Sequence, residues 1–183
     1  MPEAILTVLI PGYNAMPFLK PALGSIQGQT YKNLEILVID DGSTDGSTEF
    51  LTVAAAADHR INLVSRENRG LVHTLNQGLA LASGDFVARM DADDIAYPDR
   101  LAVQHEAMVA APGTVLSGMR ADYLFGNRIL RKPGLAVRSD RTKIELLFHA
   151  FLIHPTVMFN RQLLRATGLG YDERYRHAED FDL

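Results

Sequence analysis

The sequence predicts an α/β protein with a mainly parallel sheet and helices on both faces, arranged in three layers. Short apolar, β-branched runs alternate along the chain with segments whose apolar residues recur at helical spacing. Three of the predicted strands also end in clusters of polar residues. Because parallel sheets bind ligands at the carboxyl ends of their strands, these clusters are the main indication of a functional site.

Composition sets limits on the function. The 183 residues include 18 Lys and Arg against 22 Asp and Glu, a net charge of -4, and 47% are hydrophobic. This is enough apolar material for the core of one domain over residues 1–183, and it excludes intrinsic disorder. No basic block is present to bind nucleic acid. The absence of cysteine excludes disulfides and zinc–thiolate sites and agrees with a reducing compartment. Neither a membrane-spanning run nor a secretion signal is recognisable.

Four strands, each followed by a helix, are predicted in the first part of the chain. An apolar, β-branched run predicts a strand buried on both faces at residues 5–10, and further apolar runs predict strands at 36–39, 61–64 and 86–90. Apolar residues at helical spacing predict helices at residues 18–26, 45–57, 71–82 and 98–111. Asp45 fits the cap of the second helix, and Pro98 suits the first turn of the fourth.

The remainder is less regular. It predicts a strand near 114–119, a helix over about 139–151, a strand at 156–159, and a short helix at 161–166 that stops at Gly168. Residues 144–153 are apolar on most sides. We interpret them as part of a buried helix, with contact to a membrane surface as the alternative.

Three aspartates follow the fourth predicted strand: Asp91, Asp93 and Asp94. Carboxylates this close repel one another, and a hard divalent cation such as Mg²⁺ or Mn²⁺ would offset the repulsion. In an extended segment Asp91 and Asp93 point to the same side. A solvated acidic turn before the next helix remains the alternative.

The other polar clusters are also open to two interpretations. Asp40 and Asp41 end the second strand and fit either a turn or carboxylates that accept hydrogen bonds from a base or ribose. Tyr13, beside the first strand, has a ring that could stack on a base. Asp180 stands in an acidic stretch that fits a helix start or a general base. His154 is more typical of a structural histidine than of a ligand contact.

Several common nucleotide and metal motifs are missing. There is no GxGxxG after a strand and no GxxxxGK[ST]. The segment from Asp41 imitates the front of a calcium loop, but Thr52 stands where a bidentate Glu is needed.

Nine short segments, taken in their order and spacing along the chain, closely resemble the motifs of the family 2 glycosyltransferases. The segments are Ile10-Pro11-Gly12-Tyr13-Asn14, residues 29–36, 40–45, Asn68-Arg69-Gly70, 82–85, Asp91-Ala92-Asp93-Asp94, 98–101, His154-Pro155-Thr156 and 178–183. Each motif is weak alone, but the ordered set covers nearly the whole chain.

The resemblance implies a Rossmann-like fold of the glycosyltransferase A type and an inverting, metal-dependent transfer of sugar from a nucleoside diphosphate. It implies a nucleotide-sugar site made of Pro11, Tyr13, Asn14, Asp41, Asn68, Gly70 and Asp91. Among these, Asp41 would contact the base, and Asp91 would lie near the ribose or sugar. Asp93, with Asp91, would hold Mn²⁺ or Mg²⁺, and Asp180 would be the catalytic base.

The departures from the family pattern are few. Gly12 replaces a common Thr or Ser, and Asp94 adds a third acid, which leaves open which carboxylate holds the metal. Family members usually continue beyond the last motif. We therefore expect an intact donor half over 1–100 and an incomplete acceptor half over 101–183, truncated three residues after Asp180, which puts the activity of this chain in doubt.

The expected partners are a nucleoside-diphosphate-sugar donor, with UDP the first choice, and a carbohydrate or lipid-linked acceptor, without nucleic acid. The expected role is cell-surface polysaccharide synthesis in the cytoplasm, with peripheral contact to the inner face of the membrane as an alternative. A sugar-nucleotide pyrophosphorylase, or a noncatalytic nucleotide- or metal-binding module, remains a rival.

Overall fold

The computed structural model describes residues 4–126, 128–131, 152–168 and 170–174. In chain order its strands are β1 (Leu6–Gly12), β2 (Leu34–Asp40), β3 (Ile61–Ser65), β4 (Phe86–Arg89), β5 (Leu116–Ser117), β6 (Tyr123–Phe125), β7 (Arg128–Leu130) and β8 (Met158–Asn160). The helices are α1 (Leu19–Gln27), α2 (Ser47–Ala57), α3 (Leu71–Leu81), α4 (Arg100–Ala110) and α5 (Arg161–Thr167), and a short 3₁₀ helix spans His154–Thr156.

Within the described ranges one sheet has the strand order β3-β2-β1-β4-β8-β5. The pairs β1–β2, β1–β4 and β2–β3 are parallel, whereas β8 is antiparallel to both β4 and β5. The chain builds outward from β1 to β3 and then returns to place β4 on the other side of β1. The gap between the tips of β1 and β4 is therefore the switch point, where such sheets bind ligands.

Each face of the sheet carries its own apolar core. Alternate residues of β1 point to opposite faces: Val8 packs into a cluster with α1, α2 and α4, and Leu9 into a cluster with α3 and α5. Every residue of β1 is buried, which explains why its sequence is a continuous apolar run and not an alternating one. The predicted three-layer α/β architecture with a mainly parallel sheet is confirmed.

Helix α3 packs so closely on β1 that a glycine is needed at the contact. A Cβ on Gly78 would overlap the buried side chain of Leu9. We expect Gly78→Ala to lower the free energy of unfolding by about 1–3 kcal/mol through overpacking. Gly24 in α1 has no atom within 4 Å of an added Cβ, so Gly24→Ala should raise stability by roughly 0.5–1 kcal/mol. Urea denaturation of both variants measures the difference, and equal effects would contradict the close packing.

Several predicted boundaries need correction. Asp45 is not the N-cap residue of α2. That position belongs to Gly46, which has a φ of 95°. The hairpin of β6 and β7 was not predicted, because its residues are exposed on both faces and therefore show no burial alternation. The helix predicted over 139–151 lies outside the described residues. No helix within the described ranges is both long and apolar enough to span a membrane.

Candidate active site at the carboxyl edge of the sheet

The loops that follow β1 and β2 are joined by hydrogen bonds. The backbone N–H of Asp41 donates to the carbonyl of Gly12 at 2.8 Å. The Asn14 N–H donates to Ser43 Oγ at 2.9 Å, and the Thr44 N–H donates to Asn14 Oδ1 at 2.8 Å. Asn14 has a φ of 49°, a left-handed conformation that asparagine tolerates better than most residues. The first two polar clusters of the sequence therefore form one surface.

Asp45 adds hydrogen bonds to this connection between the loops that follow β1 and β2. Its Oδ2 accepts the N–H of Met16 at 2.9 Å, and its Oδ1 accepts the N–H of Ser47 at 3.0 Å. Ser47 Oγ in turn accepts the N–H of Ala15 at 3.1 Å. Asp45 thus satisfies one amide of the first turn of α2 and one amide of the β1 loop, although it does not occupy the cap position.

The tip of β4 lies directly beside the tip of β1. Residue Met90 donates its backbone N–H to the Leu9 carbonyl at 3.1 Å. A Cβ added to Gly12 would lie 3.9 Å from the Cβ of Ala92, in the middle of the acidic segment. Hence the tips of the first, second and fourth strands adjoin one another at one edge of the sheet.

Asp40 is a structural residue at this edge. It is fully buried, and its carboxylate accepts hydrogen bonds from the Ser43 N–H at 3.2 Å, Thr48 Oγ1 at 2.5 Å and Ser65 Oγ at 3.0 Å. Burial opposes ionisation of this group, but the hydrogen bonds outweigh it and hold the pKa of Asp40 below its usual range. Asp40 therefore anchors the turn and does not face the site.

Asp41 faces the loop between β3 and α3. Its carboxylate forms an ion pair with Arg66 and accepts the backbone N–H groups of Arg69 and Gly70, each at 2.9 Å. Only 4% of Asp41 is exposed. The structure therefore brings the predicted residues Asp41, Asn68 and Gly70 together, with Asp41 holding the loop.

Arg66 is a residue of this site that the sequence analysis missed. Its Nη2 donates to Thr74 Oγ1 and its Nε to Gln77 Oε1, both at 2.7 Å, so α3 fixes the guanidinium that meets Asp41. No motif marks it. Gly42 adjoins the same loop with a φ of +80°, and a Cβ there would lie 2.8 Å from the Asn68 nitrogen. Only glycine permits that close approach.

The predicted nucleoside contacts differ in accessibility. Pro11 is buried within β1, whereas Tyr13 is 56% exposed and the Asn68 side chain is also exposed. Tyr13 and Asn68 thus offer a ring and an amide to a ligand, while Pro11 fixes the backbone from which Tyr13 projects.

The three aspartates after β4 have different surroundings. Asp91 is partly buried and forms an ion pair with Arg89, Asp93 is exposed, and Asp94 is partly buried. Burial raises the pKa of Asp94, and the charges of Asp91 and Asp93 raise it further, against the opposing effect of Arg89 and of Arg100 on α4. This edge therefore carries negative charge that the protein does not fully offset.

The chemistry of these donors fits a divalent cation held jointly with a ligand. Within the described residues no group of three or more His, Asp or Glu side chains could hold a metal ion alone. Mg²⁺ is commonly bound by one or two carboxylates together with phosphate oxygens and water. Asp93 and Asp94 supply such carboxylates, so the acidic turn fits a cation that arrives with a phosphorylated ligand.

On the α3 face, His154 and Tyr171 form a polar contact. His154 Nε2 and the Tyr171 hydroxyl share a hydrogen bond of 2.8 Å. The side-chain amide of Asn76, on α3, makes two hydrogen bonds to the Tyr171 backbone. It donates to the carbonyl at 2.8 Å and accepts from the N–H at 3.0 Å. Burial lowers the pKa of His154 to about 4, and the charge of Arg89 adds to the effect. His154 is thus neutral at pH 7 and has a structural contact.

His154 should make stability depend on pH. Its pKa is lower in the folded chain than in the unfolded chain, so the unfolded state binds more protons between about pH 6.5 and 4. We expect the free energy of unfolding to fall across this window as pH decreases, by on the order of 3 kcal/mol at most. Denaturant titrations at several pH values measure it.

The matched variants are His154→Gln, which should flatten the curve between pH 6.5 and 4, and His59→Gln, at an exposed position, which should not. A wild-type slope in His154→Gln would contradict the burial of an uncharged His154.

Asp180, the predicted catalytic base, lies outside the described residues. The last described residue before Asp180 is Arg174, which is exposed and forms an ion pair with Asp172. The role of Asp180 stays a prediction.

Comparison with known proteins identifies the class of this chain. Residues 7–168 match the model of Glycosyl transferase family 2, and the chain belongs to that family. It is 32% identical over 190 residues to an uncharacterized glycosyltransferase of Haemophilus influenzae, an alignment that spans 97% of this chain and 58% of that protein. It is 39% identical over 113 residues to the glycosyltransferase GlyA of Streptococcus pneumoniae, which covers 62% of this chain and 16% of GlyA.

Solved structures agree with this class. The mannosyltransferase PcManGT of Pyrobaculum calidifontis, in complex with GDP-Man and Mn²⁺, has a TM-score of 0.72 and 26% identity over 96% of this chain and 49% of its own. TarS 1-349 of S. aureus, in complex with UDP-GlcNAc, has a TM-score of 0.72 and 20% identity over 96% of this chain and 51% of its own. The A-type glycosyltransferase fold is confirmed. This chain spans about half the length of PcManGT and TarS 1-349.

Proposed function

We propose that this chain carries the donor-binding part of a glycosyltransferase that moves a sugar from a nucleoside-diphosphate sugar to an acceptor hydroxyl with inversion. The observation that carries the proposal is that three strand tips adjoin at one edge, where the residues proposed to bind the nucleoside lie beside an acidic turn. Family membership supports the transferase class.

The donor site is proposed to divide between the two sides of the switch point. On the β1–β2 side, Tyr13, Asn14 and the loop at Asn68 and Gly70 would bind the nucleoside, with Pro11 behind Tyr13. The Asp41 carboxylate already accepts hydrogen bonds from three donors, which leaves little capacity for a further hydrogen bond from a base. We therefore assign Asp41 to positioning the loop and, through it, the base.

On the β4 side, the acidic turn is proposed to bind the diphosphate through a divalent cation. Asp93, with Asp91, would hold the cation, and Asp94 lies beside them. Carboxylates are hard oxygen ligands of the kind that Mn²⁺ and Mg²⁺ prefer. A bound cation supplies positive charge where the leaving diphosphate gains negative charge, and such electrostatic stabilisation is often the largest contribution to catalysis. The Mn²⁺ in PcManGT, a structure 26% identical to this chain, supports the assignment.

For the chemical step, Asp180 is proposed as the general base. Its carboxylate would take the proton from the acceptor hydroxyl as that oxygen attacks the anomeric carbon. The bond to the nucleoside diphosphate breaks on the opposite face of the sugar ring, which inverts the configuration. Asp91 would contact the ribose or sugar, and placing donor and acceptor in line supplies much of the remaining rate enhancement.

For the substrates, we propose only the chemical classes of the donor and the acceptor. UDP-sugars are the first candidate donors, with GDP-sugars next because PcManGT was solved with GDP-Man. The acceptor is proposed to be a carbohydrate or a lipid-linked carbohydrate in cell-surface polysaccharide synthesis, which would bring the whole protein to the inner membrane face. These assignments concern the full protein, of which residues 1–100 would form the donor half.

A thermal-shift screen of nucleoside diphosphates and nucleotide sugars, with and without Mn²⁺, tests the donor proposal. A ligand that binds only the native state raises the unfolding temperature by mass action. We expect one nucleotide series to raise it, with a larger shift in Mn²⁺. If no nucleotide shifts the transition under either condition, the proposal is wrong. Binding without transfer or hydrolysis, in a protein that includes the acceptor half, would favour a noncatalytic nucleotide-binding module.

A further inference from the structure

An arginine lies on the buried side of the acidic turn. Arg89 is the last residue of β4 and is only 3% exposed. Its N–H donates to the Val157 carbonyl at 2.8 Å, and its carbonyl accepts Arg100 Nη2 at 2.7 Å. Its guanidinium reaches Asp91, two residues beyond the end of β4, with which Nη2 forms an ion pair.

The rest of that guanidinium is unsatisfied. Arg89 Nε and Nη1 are both buried, and neither has a hydrogen-bond partner in the part of the chain that the structure describes. Burying donors without acceptors costs stability, and replacing a buried charged pair with apolar side chains is often neutral or favourable. Folding alone therefore does not account for an arginine at this position, within the otherwise apolar run Phe86–Met90.

The charge of Arg89 is unevenly shared among the three aspartates. Asp91 has the arginine directly against one of its oxygens, whereas neither Asp93 nor Asp94 forms an ion pair with a described residue. A carboxylate already neutralised by a fixed guanidinium attracts a divalent cation less strongly than one that is not. The turn thus contains one acid in a direct ion pair and two without one, although the charges of Arg89 and Arg100 also act on Asp94.

We propose that Arg89 is a positioning residue that keeps Asp91 out of the cation's shell and reserves it for a hydroxyl of the donor, so that Asp93 and Asp94 take the metal. This inference rests on the proposed function and answers which of the three acids binds the cation. It revises the assignment of Asp91 as a second metal ligand. Because Arg89 is buried, it acts through Asp91 and does not touch the donor itself.

The test measures Mn²⁺ binding by the chain without a donor, from the electron paramagnetic resonance signal of unbound Mn²⁺. In Arg89→Met, Asp91 loses the guanidinium that pairs with it, so its negative charge acts more strongly on the cation. We expect Mn²⁺ to bind at least about fivefold more tightly, while UDP or GDP at saturating Mn²⁺ binds at least about fivefold more weakly. A merely structural role would weaken both. Unchanged or weaker Mn²⁺ binding by the folded variant overturns the proposal.

Three further variants keep the test decisive. Arg89→Lys retains the charge and should keep Mn²⁺ affinity near that of the wild type. Asp91→Asn removes a nearby charge but no ligand, so Mn²⁺ affinity should fall by less than about fivefold. A loss of tenfold or more there overturns the proposal even if Arg89→Met does not fold. Arg161→Met is the matched control at the opposite end of the sheet, where Arg161 donates to the Ala82 carbonyl at 2.6 Å and the Ser83 carbonyl at 2.9 Å.

Arg161→Met should lower the unfolding temperature and keep Mn²⁺ affinity. If the wild-type chain binds no nucleotide, the proposed function fails, whereas the donor-free Mn²⁺ comparison still decides the role of Arg89.

Discussion

Asp93→Ala is expected to abolish the Mn²⁺-dependent part of nucleotide binding. Asp93 is exposed at the acidic turn and forms no ion pair with a described residue, so its charge is available to a cation. Without it, Asp94 alone would have to hold a cation between itself and a diphosphate, and its pKa is already raised by burial and by its acidic neighbours. Calorimetric titration of UDP and GDP with and without Mn²⁺ measures the effect.

The control for Asp93→Ala is Asp99→Ala, which removes another exposed carboxylate six residues away, just before α4. It should leave the Mn²⁺-dependent increase in affinity intact. An Asp93→Ala protein that still binds nucleotide more tightly in Mn²⁺, to the wild-type extent, would remove Asp93 from the metal site. Equal losses in both variants would point to net charge and not to coordination.

Asp180→Asn is expected to reduce turnover by roughly 10²–10⁴-fold, the usual contribution of a general base, and to leave donor affinity unchanged. Asparagine keeps the size of the side chain but cannot accept the proton of the acceptor hydroxyl. The measurement is sugar transfer by a protein that includes the acceptor half, with donor binding titrated in parallel.

Asp182→Asn provides a matched substitution two residues further on, with the same chemical change. Its turnover should stay close to that of the wild type. If Asp180→Asn retains full turnover, or if both variants lose it equally, Asp180 is not the base. A parallel loss of donor affinity would instead assign Asp180 to substrate binding.

The sequence was sufficient to predict most elements of the sheet and its helices. Strands β1 and β2 are buried on both faces, so their apolar runs are continuous and easily recognised. Helix α5 was predicted within one residue because Gly168, with a φ of 69°, ends it. The hairpin of β6 and β7 was not predicted because short exposed strands show no hydrophobic periodicity. The antiparallel direction of β8 could not be deduced from its own three residues.

For a similar reason, the sequence marked only some of the residues that lie at this edge of the sheet. Asp41, Asn68, Gly70 and the acidic turn stand out as local motifs, and the structure brings them to one edge. Arg66 and Arg89 belong to no motif, although a charge inside the apolar run of β4 was a signal that could have been used. Each acts on an acid that its strand and loop bring within reach, and such pairing is a property of the folded chain.

By itself, the sequence determined the alternation of strands and helices, the acidic turn and the family, because these depend on residues that are close together along the chain. The tertiary structure decided which acids have a direct ion pair: Arg66 pairs with Asp41 and Arg89 with Asp91, whereas Asp93 and Asp94 have none with a described residue. The physical reason is that electrostatic free energy depends on distance and burial in three dimensions, which a linear spacing of charged residues does not specify.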